Sequence, residues 1–192
     1  MTNVPAKIEQ CNLLLEQAAH ELASMRSDVL QPFPSACRRL VRNMPGNQQC
    51  IDCGSAHPEW ATVSYGALIC MRCSGRHRSL GVKFSKVRSV TMDHWNKEQV
   101  LSMLEGGNEQ LRVFFQRHEL AIEGKAAAEN LRKRYWTKAA KFYQRGMQAH
   151  VSGLADKQNV WRGRQASRSP KAATHASPVL RSNMAVNQIA AV

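Results

Sequence analysis

No stretch of the chain approaches the roughly 20 consecutive apolar residues that cross a bilayer. The opening MTNVPAKIEQ also lacks the apolar core of a secretion signal. These two absences point to a cytoplasmic protein rather than an exported or membrane-spanning one. Acids are scarce as well: 14 Asp and Glu stand against 27 Lys and Arg, a formal net charge of +13 over 192 residues. That imbalance favours a polyanionic partner, whether nucleic acid, an anionic membrane surface or a nucleotide-bearing protein, without choosing among them. No internal repeat is present. At 43% hydrophobic residues, the chain can bury the core of one domain of common size and still carry extra segments.

Six cysteines occur. Cys11 and Cys37 have no paired spacing and read as ordinary thiols, whereas Cys50-x2-Cys53 is followed, sixteen residues on, by Cys70-x2-Cys73. Each CxxC unit forms a knuckle whose two thiolates converge, and four sulfurs in a tetrahedron match one structural zinc ion with no position left for a substrate water. Two disulfides, or an iron–sulfur cluster, would use the same residues. In a chain without a secretion signal the metal is preferred. His57 and His77 lie close by but are not needed as ligands. Zinc modules gain on the order of 10 kcal/mol from the metal, so the segment from Cys50 to Gly81 is expected to depend on it for order.

Around this segment the pattern predicts an α+β fold: a small zinc-stabilised sheet of about three strands surrounded by helices. Residues 1–34 hold an amphipathic helix, with Ile8, Leu14, Leu15, Ala18, Ala19, Leu22 and Met25 at helical spacing, followed by a QPFPS linker. EWATVSY and ALIC form a hairpin across Gly66, and KVRSVTMD supplies another strand. Asn96 with Gln99 caps one helix, Asn108 the next. A longer helix is expected from about Ala126 to His150, with Leu131, Tyr135, Trp136, Ala139, Phe142 and Tyr143 inward. The pattern fades after Leu154, and residues 155–192 read as a basic, unstructured tail.

The stretch PGNQQCIDCGSAHPEWATVSYGALICMRCSGRHRSLGVKFSKVRSVTMDHW resembles the catalytic zinc-finger domain of the Arf GTPase-activating proteins. That family's pattern is C-x2-C-x16-C-x2-C-x4-R, and Arg78 falls on its arginine. Asn47, Trp60, the YG pair, SKVRS and the Asp93/Trp95 pair match too. GGNEQLRVFF and RYWTKAAKFYQRGM extend the likeness over roughly residues 35–154.

The resemblance implies an activator of an Arf-type small GTPase in its GTP-bound form, with one structural zinc and no independent active site. Arg78 would be an arginine finger entering the partner's nucleotide site. Trp60, Arg76, Lys86, Arg88 and Asp93 are candidate partner contacts. Arg88 and Asp93 are also read as a structural pair, or Asp93 as a helix cap. Arg76 stands where the family usually has an aliphatic residue. Peripheral recruitment to Golgi or vesicle membranes follows from the resemblance. The tail, with Lys157, Arg162, Arg164, Arg168, Lys171 and Arg181 against one acid, offers weak contact with an anionic membrane. The alternatives are a zinc-dependent nucleic-acid-binding module and a catalytically silent GTPase-binding scaffold. Base-reading modules place a recognition helix straight after the second knuckle. Here Gly75, Gly81 and Ser85 are expected to break such a helix.

Overall fold

The computed structural model describes residues 4–120, 130–155 and 161–164. Helix α1 (Val4–Ser24) buries Leu14, Ala18 and Leu22, the face its spacing predicts, and Met25 is buried just beyond it. The Ile8 side chain lies outside the described residues. The helix docks on α2 (Ser35–Asn43), which follows Pro34 and so has no side-chain cap of its own. Glu21 of α1 substitutes for that cap. Its carboxylate accepts the N–H groups of Ala36 at 2.8 Å and Cys37 at 3.1 Å, and Ser35 Oγ at 2.9 Å. An anion there meets the unbonded amides and positive end of a helix N-terminus.

Between α1 and α2 the chain is not a free linker, contrary to expectation. Gln31–Pro32 (β1) pair antiparallel with His94–Trp95 (β5), and Phe33 meets the Trp95 ring edge-on at 4.8 Å. A two-residue edge strand asks little of its amides, so a proline is tolerated in it.

The main sheet has the predicted three strands, in the order β3-β2-β4 and antiparallel throughout. Trp60–Thr62 (β2) lies between Ala67–Ile69 (β3) and Val87–Ser89 (β4). Gly66 turns the hairpin at φ +62°, and its carbonyl accepts the Gly107 N–H at 2.7 Å. A Cβ on Gly66 would fall inside the van der Waals shell of the Ser102 carbonyl oxygen and 2.9 Å from Gly106 Cα. Both neighbours are backbone and cannot step aside. Gly66→Ala is therefore expected to cost at least about 2 kcal/mol, combining left-handed strain with a main-chain collision. Denaturant unfolding of the two proteins checks this.

Helix α4 (Lys97–Glu105) opens with the predicted Asn96/Gln99 capping box. Helix α5 (Asn108–Arg117) departs from expectation, because the Asn108 side chain does not cap it. That amide turns inward instead, accepting Leu68 N–H at 2.7 Å and donating to the carbonyls of Gln49 at 2.6 Å and Leu68 at 3.0 Å.

The long C-terminal helix is two helices, α6 (Leu131–Tyr135) and α7 (Lys138–Ala155); residues 126–129 of the predicted helix lie outside the described residues. Thr137 Oγ1 accepts the Ala140 N–H at 3.1 Å and starts the second helix afresh. This shifts the buried face to Ala140, Tyr143, Met147 and Val151, and leaves Trp136 and Phe142 46% and 43% exposed. The tail also holds one docked piece: Trp161 is buried, donating from Nε1 to Glu105 Oε1 at 2.9 Å, and Arg164 donates to Gln110 at 2.7 Å. Lys157, Arg168, Lys171 and Arg181 lie outside the described residues.

One apolar core joins α1, α2, the far side of the sheet and α4 to α7. A second, much smaller cluster forms on the knuckle side, with Cys50, Ile69 and Cys73 as its buried members.

Candidate functional site

The first knuckle is a tight turn. Cys50 N–H donates to Ser55 O at 2.8 Å, and Gly54 N–H returns to Cys50 O at 2.9 Å. Buried Asn47 holds it in place from behind, donating to Val41 O at 2.6 Å while its Oδ1 accepts the Asn108 N–H at 2.7 Å. The second knuckle is the first turn of helix α3 (Met71–Ser79): Cys70 is its N-cap, and its Sγ accepts the Cys73 N–H at 3.5 Å. Together these place the Sγ atoms of Cys50, Cys53, Cys70 and Cys73 within 4.8 Å of one another.

The sulfurs form one group of four rather than two bonded pairs; Cys53 and Cys70 stand 3.5 Å apart, well beyond a disulfide bond. Four thiols this close compete for ionisation. The hydrogen bond from Cys73 pulls the Cys50 thiol down to about 5, and that same contact, with burial, pushes Cys73 well up. A cation among them would let all four ionise, and an all-sulfur tetrahedral donor set suits a soft or borderline ion. Among the described residues the cluster contains no histidine. Cys11 is exposed, and Cys37 is buried away in the main core, its thiol pushed up to about 12 by burial.

Helix α3 runs straight on from the second knuckle for nine residues, so Gly75 does not open or break it. A Cβ at Gly75 would meet nothing within 4 Å, which places this glycine on an open helix face. The helix stops at Ser79, before Gly81 at φ +90°. Arg78 lies in the last turn, exposed to solvent. Its Nη1 donates to Ser74 Oγ at 3.2 Å, one turn back, and its guanidinium lies 4.6 Å over the Trp60 ring of β2. No acid is among these contacts.

The other candidates scatter around this pair. Arg76 is half-buried, with Nη1 enclosed and without a hydrogen-bond partner among the described residues; Arg88 on β4 has Nε in the same condition. Lys86 is exposed, its backbone N–H bonded to Ser64 Oγ at 3.0 Å. Asp93 does not pair with Arg88: its Oδ2 accepts the Ser89 N–H at 2.6 Å, a short-range loop closure that the backbone satisfies first. Nor does Asp93 cap a helix, since Asn96 takes that place.

Beneath the exposed arginine lies a polar group that spacing alone did not single out: Asp52, inside the first knuckle, with His77, Ser85, Arg134 and Tyr135. Burial alone would raise the Asp52 carboxyl, but His77, Arg134 and Tyr135 outweigh it and hold it low. Only the side-chain types gave a signal, an acid between two cysteines and a histidine beside the arginine. Their partners are up to 83 residues away.

Residues 35–152 match the sequence model of the family described as "Putative GTPase activating protein for Arf". The chain belongs to the ArfGAP family. ADP-ribosylation factor GTPase-activating protein GCS1 of Saccharomyces cerevisiae is 45% identical over 91 residues, which is 46% of this chain and 26% of that protein. ADP-ribosylation factor GTPase-activating protein 3 of Mus musculus is 40% identical over 108 residues, 56% of this chain and 20% of that protein. The similarity thus spans about a quarter or less of those relatives' length. Among solved structures, one from Cryptosporidium parvum called "putative GTPase activating protein for ADP ribosylation factor" is 30% identical with a TM-score of 0.53. That match covers 60% of this chain and 88% of the other. The ArfGAP match spans the four clustered cysteines, the sheet and α3, so the knuckles and the exposed arginine belong to the family's own domain.

Proposed function

We propose that this ArfGAP chain accelerates GTP hydrolysis by an Arf-type small GTPase in its GTP-bound form, with Arg78 as the finger and one zinc ion on Cys50, Cys53, Cys70 and Cys73. The observation that carries this reading is the exposed guanidinium of Arg78, bonded to no carboxylate among the described residues, on a helix that grows out of the cysteine cluster. During hydrolysis charge builds on the transferring phosphoryl oxygens. A guanidinium answers it with a fixed fork of donors and a charge that never titrates away. Zinc supplies cross-linking when bound, joining the first knuckle to the first turn of α3. The partner holds the nucleotide, the magnesium ion and the attacking water. Single-turnover phosphate release from a GTP-loaded Arf-type GTPase tests the reading, and acceleration by the purified chain is the expected result.

Trp60 keeps the finger in waiting. Stacking of a guanidinium over an indole gains about 0.5 to 2 kcal/mol. Trp60→Ala is therefore expected to slow the maximal rate by about 2- to 30-fold, with metal content unchanged; comparing single-turnover rates at saturating activator measures it.

Arg76, Lys86, Arg88 and Asp93 border the finger and form the proposed contact surface for the GTPase. Residues 35–154 carry the activity in this reading, and α1 braces them through Glu21. Among the described residues no helix is long and apolar enough to cross a membrane. Peripheral contact with Golgi or vesicle membranes through the basic tail completes the proposal.

A further inference from the structure

A metal clamp alone does not explain how Arg78 is aimed. The cysteines fix the first turn of α3, at Cys70 and Cys73, while Arg78 sits five residues beyond Cys73, in the last turn. A second anchor lies there. His77, the residue before the finger, is fully buried and bonded at both ring nitrogens: Nε2 to Asp52 Oδ2 at 2.8 Å and Nδ1 to Ser85 Oγ at 2.8 Å. The other oxygen of Asp52 accepts Arg134 Nη1 at 3.0 Å and the Tyr135 hydroxyl at 2.9 Å. Ser85 also pairs with Thr62 Oγ1 of β2 at 2.8 Å, and the His77 ring meets Tyr135 edge-on at 4.6 Å. Four other parts of the chain therefore converge on this α3 imidazole, directly or through Ser85: the first knuckle, the loop after α3, β2 and α6.

We propose that His77 and Asp52 are positioning residues for Arg78, fixing the rotation of the last turn of α3 so that the finger presents outward over Trp60. This rests on the finger reading of Arg78. The geometry is direct. Neighbouring helical side chains point about 100° apart, so a histidine locked into the core sets the direction of the next side chain. Apolar packing resists burial loss but tolerates sliding, whereas a ring bonded at both nitrogens does not rotate without breaking a bond. A rotation of about 20° at this turn would sweep a guanidinium about 9 Å from the helix axis by about 3 Å. A misplacement of about 1 Å can cost 100-fold in rate. A buried ionic group of this kind gives little net stability over an apolar one, which leaves direction as its contribution here.

The test uses His77→Phe, which keeps the ring and deletes both hydrogen bonds, and the milder Ser85→Ala, which removes one. Two readouts are taken on protein with one zinc per chain. Relaxation of the Arg78 Nε–Hε group by NMR needs no GTPase, so it stands even if the wild type fails to accelerate hydrolysis. Single-turnover hydrolysis then separates maximal rate from half-saturation. The proposal expects a more mobile Arg78 in both variants. For His77→Phe it expects a maximal rate lower by about 10- to 100-fold, with half-saturation within about threefold. It also expects no further loss when His77→Phe is added to Arg78→Ala, because the two act as one unit. If His77→Phe does not fold, Ser85→Ala decides by the same measurements. An Arg78 as ordered as in the wild type overturns the proposal, as does an equal loss from His77→Phe with and without the finger.

Discussion

Chelation of the metal is expected to melt the knuckle side of the domain and lower its thermal midpoint by at least about 10 °C. Without the metal, little holds that side. Its strands are three residues long, and its own buried cluster is Cys50, Ile69 and Cys73. Burying a side chain the size of isoleucine gains about 1.5 to 3 kcal/mol, and ordering a residue's backbone costs about 1 to 2 kcal/mol. Three buried residues cannot offset that over the two knuckles, which unlike Ala61, Val63, Tyr65, Ala67, Leu68 and Leu80 of the same stretch do not pack into the main core. Structural zinc supplies about 10 to 16 kcal/mol in small modules, comparable to the whole stability of an ordinary domain. The main core, to which α1, α2, the far side of the sheet and α4 to α7 contribute, does not draw on the four knuckle cysteines, so a compact remnant should persist. The check is thermal unfolding and amide NMR before and after a strong chelator, with zinc added back. Signals from the two knuckles, residues 50–55 and 70–75, should collapse together and return with one equivalent of metal. Retention of those signals without metal would show that the cluster is not the module's source of order.

Much of this architecture could be read along the chain. The two CxxC units state their own partnership, because each knuckle is built within four residues and only the meeting of the two needs the fold. Gly66 between β-forming runs and Asn96 with Gln99 are local signals, and local physics settled them. The failures share a different cause. Glu21 caps a helix that begins fourteen residues later, where Pro34 leaves the amides unclaimed. Thr137 restarts the last helix and rotates its inward face away from Trp136 and Phe142. Asn108 is drawn from its own helix to the Leu68 and Gln49 backbone. Trp161 follows a stretch without periodicity and is held by one buried carboxylate. Each is a polar side chain answering a need created elsewhere in the fold, and hydrophobic periodicity carries no trace of it. The Asp52–His77 pair, 25 residues apart, is of this kind.

Arg78→Lys is expected to remove nearly all acceleration while leaving the fold and the zinc content intact. Arginine fingers contribute about 10³- to 10⁵-fold to GTP hydrolysis, equivalent to about 4 to 7 kcal/mol of barrier. Lysine keeps the charge but not the planar fork, and its shorter, strongly hydrated ammonium neither stacks as well on Trp60 nor bonds two phosphoryl oxygens at once. The side chain is exposed and, among the described residues, hydrogen-bonds only Ser74, so the substitution asks nothing of the core. Binding to the GTPase should weaken little, since the fork is used in the transition state rather than in docking. The direct measurement is single-turnover phosphate release from a GTP-loaded Arf-type GTPase at saturating wild-type or Arg78→Lys protein. The account predicts a maximal rate for the lysine variant at least about 100-fold lower, with half-saturation nearly unchanged. Equal maximal rates for the two proteins would contradict it.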